Sequence, residues 1–85
     1  MRLVFSETAW DEYASWLQRD RTVLRKTNAL IKAILNDPFE GIGKPEPLKH
    51  DLAGYWSRRI TQEHRIVYKV TDDAIWIAKV GGHYE

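Results

Sequence analysis

Three residues in the second half of the chain are of types that can jointly move protons and charge around a phosphate. Glu46 sits in Lys44-Pro45-Glu46-Pro47-Leu48-Lys49, Arg65 opens the run His64-Arg65-Ile66-Val67-Tyr68, and His83 stands near the end in Gly81-Gly82-His83-Tyr84-Glu85. A carboxylate, a guanidinium and an imidazole supply a base, an anion binder and an acid. Those roles are what phosphodiester cleavage needs when the 2′-hydroxyl of an RNA attacks its own phosphate.

Each of the three also has an ordinary reading. Most loop glutamates are merely solvated, but Pro47 biases Glu46 toward an extended backbone and Pro45 has a fixed φ, so this carboxylate is held with little freedom. Preorganisation is what a general base requires. Arg65 starts an otherwise apolar strand and could grip phosphate oxygens with two prongs; a salt bridge to Glu63 or Asp73 explains it equally well. His83 follows a glycine pair expected to free the tail from the last strand. Histidine changes charge near pH 6.5, which suits an acid, although terminal histidines are usually frayed surface groups. Tyr84 adds a ring that could stack on a base or bond a phosphate. His50 and His64 hold less promise. No two histidines have metal-ligand spacing, and no nucleotide-binding loop or Ser-His-Asp pattern is present, so neither a metal nor a cofactor is expected.

These groups must be positioned by one small core, because 85 residues suffice for one domain, 1–85, and not for two. Four tryptophans, four tyrosines and 44% hydrophobic residues supply the buried surface. Cysteine is absent, which excludes disulfides and fits a reducing, cytoplasmic setting. No apolar run approaches a membrane span and the N-terminus lacks the order of a signal peptide, so a soluble intracellular protein is expected. Net charge is only +1, yet it is unevenly spread. Glu7, Asp11, Glu12 and Asp20 crowd the first 20 residues, whereas Lys44, Lys49, Arg58, Arg59, Arg65 and Lys69 follow later. Any one of these cations is accounted for as the wet face of a sheet. As a group beside Trp56 they suit an RNA-binding face.

Arg2 to Phe5 reads as a short strand, and Ser6 offers an oxygen to cap a helix with Glu7 in its first turn. Ala9, Trp10, Tyr13, Ala14, Trp16 and Leu17 recur at helical spacing and read as core. Asp20 can cap a second helix, with Val23, Leu24, Thr27, Leu30, Ile31, Ile34 and Leu35 buried until Asn36-Asp37-Pro38 ends it. Glycines and prolines make the stretch from Phe39 to Leu52 a surface loop without regular structure. Three β-prone runs follow, Tyr55 to Ile60, Arg65 to Val70 and Ala74 to Val80, and their short connections predict an antiparallel meander. The expected architecture is α+β, with two N-terminal helices on one face of a small, mainly antiparallel sheet and the other face open. An even first turn would set Arg65 on the face of Arg58 and Lys69; an odd turn or a bulge would set it beside Arg59.

The succession Pro38-Phe39-Glu40-Gly41, Gly43 to Lys49, Gly54 to Ile60, Glu63 to Tyr68 and His83-Tyr84, with Ser6-Glu7 and Trp10 before it, resembles the YoeB toxins of the RelE superfamily. The resemblance covers essentially the whole chain. It implies a RelE-like fold and a messenger-RNA interferase of a type II toxin-antitoxin system, which cuts messenger RNA in the A site of the 70S ribosome without metal. It further implies a YefM-type antitoxin as partner, and leaves a homodimer open. Carried over, Glu46 matches the family's general base, Arg65 its phosphate-stabilising arginine and His83 its general acid. Tyr84, Lys49 and Arg59 match supporting RNA contacts, and Arg58 joins them on charge. Two positions depart from the pattern. Gly81-Gly82 stands where relatives usually carry bulkier residues, which predicts a looser tail, and Glu85 extends beyond the usual His-Tyr end. Other roles compatible with the superfamily are a non-enzymatic inhibitor of the ParE kind and a weakened toxin that acts only as an antitoxin co-repressor.

Overall fold

Ser6 begins the first helix as its hydroxyl predicts, Oγ accepting from the Ala9 N–H at 3.0 Å. The helix, α1, runs over Glu7–Arg19, and α2 follows at once over Arg21–Asn36. Asp20 serves both, ending α1 and accepting from the Thr22 and Val23 N–H groups at 2.9 and 3.3 Å. So tight a junction folds the helices into a hairpin, bridged by Tyr13 Oη donating to Asn28 Oδ1 at 2.7 Å. The computed structural model describes residues 1–82; His83, Tyr84 and Glu85 lie outside the described residues.

The remaining elements form one five-stranded sheet, β1 (Arg2–Phe5), β2 (Glu46–Pro47), β3 (Tyr55–Arg59), β4 (Arg65–Val70) and β5 (Ala74–Val80), in the order β1-β5-β4-β3-β2. The predicted meander is present in β3, β4 and β5. The first strand crosses over through the helix pair and lies parallel to β5, with Leu3 opposite Ile75. The stretch predicted to be irregular contains the two-residue β2 and a 3₁₀ turn at His50–Leu52. Pro47 tolerates a strand there because β2 is an edge with one neighbour.

The helix pair buries one sheet face. Ala9, Trp16, Val23, Leu30, Ile31 and Ile34 meet Ile66, Tyr68, Ile75, Ile77 and Val80. Four expected core residues do not reach this layer: Trp10 is 54% exposed, Leu17 47% and Leu35 40%, and Ala14 is exposed too. Trp10 instead stacks beside Tyr13 and against the edge of Phe5, at 5.7 Å in each case. Thirteen residues give α1 more apolar positions than one narrow stripe can bury.

Close packing of the loop onto α2 depends on Gly43, whose φ is +84°. A Cβ there would stand 2.6 Å from Leu30 Cδ2 and 3.1 Å from the Arg59 carbonyl oxygen. Gly43→Ala therefore combines left-handed strain with overpacking, and should cost at least ~2 kcal/mol. For a domain of this size that lowers the thermal midpoint by roughly 8 °C or more. An unchanged midpoint would show that the loop yields without cost.

Candidate active site

The β2 to β3 register sets Glu46 directly opposite Ser57, and the β3 to β4 register sets Ser57 opposite Val67. Side chains two residues apart share a face, so Arg59 and Arg65 project on the same side as Glu46, away from the helices. Arg59 and Arg65 are themselves directly paired. Five residues, Ile60 to His64, separate them, which resolves the register in favour of the odd turn. Between these charged residues on the same face, Ser57 and Val67 are buried, 2% and 3% exposed. Strand spacing and rise separate the Glu46 and Arg65 backbones by roughly 12 Å, a gap that two long side chains can close around a phosphate.

Glu46 and Lys49 also line a cavity of about 410 Å³ completed by Pro47, Leu48, His50, Asp51 and Leu52. Its wall is one continuous segment, fixed at its ends by the Leu48 N–H donating to the Tyr55 carbonyl at 2.9 Å and by the 3₁₀ turn. His50, with φ +57°, lines this cavity beside the carboxylate. Sequence reading passed it over because it sought metal spacing alone.

Arg65 is anchored from below. Its Nη1 donates to the carbonyls of Thr61, Gln62 and His64 at 2.9, 3.1 and 3.2 Å, so the turn it closes also orients it. The acids once considered as its partners are engaged elsewhere. Glu63 faces His64 at 3.8 Å, and Asp73 pairs with Arg2 at 3.1 Å.

Arg58 does not belong to this surface. Alternation along β3 turns it to the helix side, where it is fully buried. Its guanidinium donates to Tyr68 Oη at 3.1 Å, the Ile42 carbonyl at 3.1 Å, the Glu40 carbonyl at 2.9 Å and the Asp37 carbonyl. Tyr68 passes the link on, donating to the Pro38 carbonyl at 2.6 Å. Burial pushes the Tyr68 hydroxyl's pKa upward, opposed by the Arg58 hydrogen bond and charge, so it remains a donor well into alkaline solution. The expected RNA contact is thus a clamp that fixes residues 37–42, the approach to Glu46. A cation between Ser57 and Arg59 carries no sequence mark of burial.

Beyond β5, the glycine pair expected to free the chain from the sheet is bonded to it as far as Gly82. The Gly81 N–H donates to the Arg65 carbonyl at 2.8 Å, the Arg65 N–H donates to the Gly82 carbonyl at 3.0 Å, and the Gly82 N–H donates to His64 Nδ1 at 2.8 Å. Gly81, with φ +123°, lies against Trp16, whose Cζ2 would be 3.0 Å from an added Cβ. Gly81 is therefore a close-packing requirement, Gly82 is favoured by its left-handed φ of +66°, and together they carry the chain beside Arg65. His83, the expected acid, and Tyr84 lie outside the described residues. Among the described residues no cluster of three His, Cys, Asp or Glu side chains could hold a metal ion. No helix among the described residues is long and apolar enough to cross a membrane.

The sequence profile of the family described as YoeB-like toxin of bacterial type II toxin-antitoxin system matches residues 5–84. The chain belongs to that family. It is 56% identical to Toxin YoeB of Escherichia coli (strain K12) over 84 residues, covering 99% of this chain and 100% of the relative. Its fold superimposes on the YoeB/ParE toxin from Agrobacterium tumefaciens with a TM-score of 0.95 at 46% identity, covering 99% of this chain and 100% of that one. YoeB of Staphylococcus aureus, also 46% identical, gives 0.91 as a dimer and 0.89 in a heterotetrameric complex with YefM, with 99% of this chain and 98% of that chain covered each time. Family membership spans every element that carries the face described above.

Proposed function

We propose that this toxin is a messenger-RNA endonuclease working in the A site of the 70S ribosome in the cytoplasm. The observation that carries this reading is the shared helix-free face of Glu46, Arg59 and Arg65. Glu46 takes the proton from the attacking 2′-hydroxyl. Arg65, with Nη1 committed to the turn, meets the developing phosphorane charge with the rest of its fork. His83 protonates the departing 5′-oxygen, giving a 2′,3′-cyclic phosphate and a 5′-hydroxyl. Lys49 and Arg59 hold flanking phosphates, and Tyr84 stacks on a base or bonds a phosphate. A YefM-type antitoxin and a toxin dimer follow from the assemblies of the Staphylococcus aureus relative. The bonds that tie Gly81 and Gly82 to β4 and its preceding turn support this reading over that of a catalytically weakened co-repressor.

The test is a messenger carrying a single 2′-deoxynucleotide at the position whose 2′-oxygen attacks, presented on programmed ribosomes. Cutting of the ribo-messenger should vanish with the deoxy substitution. Persistent cutting would overturn the mechanism, and no cutting of either would favour a protein-binding role.

A further inference from the structure

His64 has no part in the proposed chemistry, yet it bonds the residue immediately before the proposed acid. Its Nδ1 accepts from the N–H of Gly82, the residue immediately before His83, at 2.8 Å. An imidazole that accepts at Nδ1 carries its proton on Nε2, so this bond requires neutral His64 in one tautomer. The ring has little room to find another pose. It is only 16% exposed, stands edge-on to Trp16 at 4.6 Å between centroids, and follows Glu63, whose carboxylate lies 3.8 Å from Nε2. Trp16 in turn is fixed by its Nε1 donating to the Val80 carbonyl at 3.0 Å.

We infer that His64 is a positioning residue for Gly82, its neutral imidazole fixing the backbone just before the proposed acid and its protonation breaking that bond. Protonated His64 carries a proton on Nδ1, which would then point at the Gly82 N–H; two donors cannot bond. The same carbonyls and amides that join residues 81–82 to Arg65 place the tail's departure point on the arginine proposed to stabilise the phosphorane. His64 thus ties the residue before one proposed catalytic group to the turn and strand that carry another. The charges around it come from several elements. They are the Glu63 carboxylate, Arg65 on β4, Arg19 stacked over Trp16 at 4.1 Å, and Lys79 beside Gly82, itself paired with Glu12 at 3.3 Å. This inference rests on the reading of His83 as the acid.

NMR of the ¹⁵N-labelled full chain, combined with single-turnover cleavage on programmed ribosomes, tests it. In the wild type the Gly82 amide and the His64 Nδ1 resonances should titrate together, with the protection of Gly82 relative to an unbonded amide at the same pH falling on the acid side. His64→Asn places an amide oxygen about where Nδ1 lies and cannot be protonated, so Gly82 should stay protected and lose that titration. His64→Leu should remove the protection at every pH and lower the single-turnover rate roughly tenfold, the scale of one lost hydrogen bond, with ribosome affinity unchanged and asparagine restoring most of the rate. Should the leucine variant fail to fold, the wild-type titration and the asparagine variant decide the matter. A Gly82 amide indifferent to the ring's titration, or asparagine as slow as leucine, would overturn the inference. His83→Ala separates it from the reading on which it rests. Full activity in that variant sinks His83 as the acid, whereas an inactive His83→Ala beside a fully active His64→Leu sinks only the role of His64.

Discussion

Glu46→Ala is expected to lower the single-turnover rate of messenger cleavage by ~10² to 10⁴, the usual contribution of a positioned proton acceptor, while leaving ribosome affinity nearly intact. The carboxylate stands on a short edge strand fixed by pairing with β3, so the loss should reflect chemistry and not a disordered loop. Arg65→Ala should cost at least as much, because the guanidinium both grips the phosphate and stabilises the charge that develops on it. His83→Ala should be rescued selectively by a substrate with a better leaving group, since such a substrate no longer needs its departing oxygen protonated. Rescue of the Glu46 variant instead, or equal rescue of both, would exchange or abolish the assignments of base and acid. The thermal midpoint of Glu46→Ala should match the wild type; a large drop would mean that the rate loss reports unfolding.

Arg58→Met is expected to produce the largest loss of stability. The substitution keeps the aliphatic stem but removes the donors that satisfy three loop carbonyls and the Tyr68 hydroxyl inside the fold. Stranding such partners costs about 3–5 kcal/mol, which for a domain of this size lowers the thermal midpoint by roughly 12–40 °C. Tyr68→Phe should cost less, about 1–3 kcal/mol, since it deletes one acceptor for Arg58 and one donor to Pro38. Tyr68 also adds an alkaline signature. Its folded pKa is raised, so the stability linked to it is full below about pH 10, where a free tyrosine titrates, and is lost as pH rises through the higher folded value. A calorimetric series in which Arg58→Met unfolds like the wild type would show that the clamp is dispensable. The expectation matters for function as well, because residues 37–42 lead into the segment that presents Glu46.

The sequence by itself determined the features governed by neighbours in the chain. Ser6 and Asp20 announced the helix starts because a cap is a bond across two or three residues, and the β-rich runs announced β3, β4 and β5 because short connections leave few other pairings. Glu46 between two prolines was legible as a restrained carboxylate for the same local reason. Only the tertiary structure decided which groups meet. Arg2 to Phe5 pairs parallel with a strand some 70 positions away, an arrangement that follows from the helix pair crossing over the sheet and not from the run itself. The five-residue turn that brings Arg65 beside Arg59 is a matter of register, and one residue fewer would reverse every side chain of β4. Arg58 and Arg59, adjacent and chemically identical, end on opposite faces, one a buried clamp and the other an exposed cation. Gly81 and Gly82 read as slack because glycine permits it. They are held because Trp16 and His64, from two other parts of the chain, close upon them with a bond and a ring that no local pattern encodes.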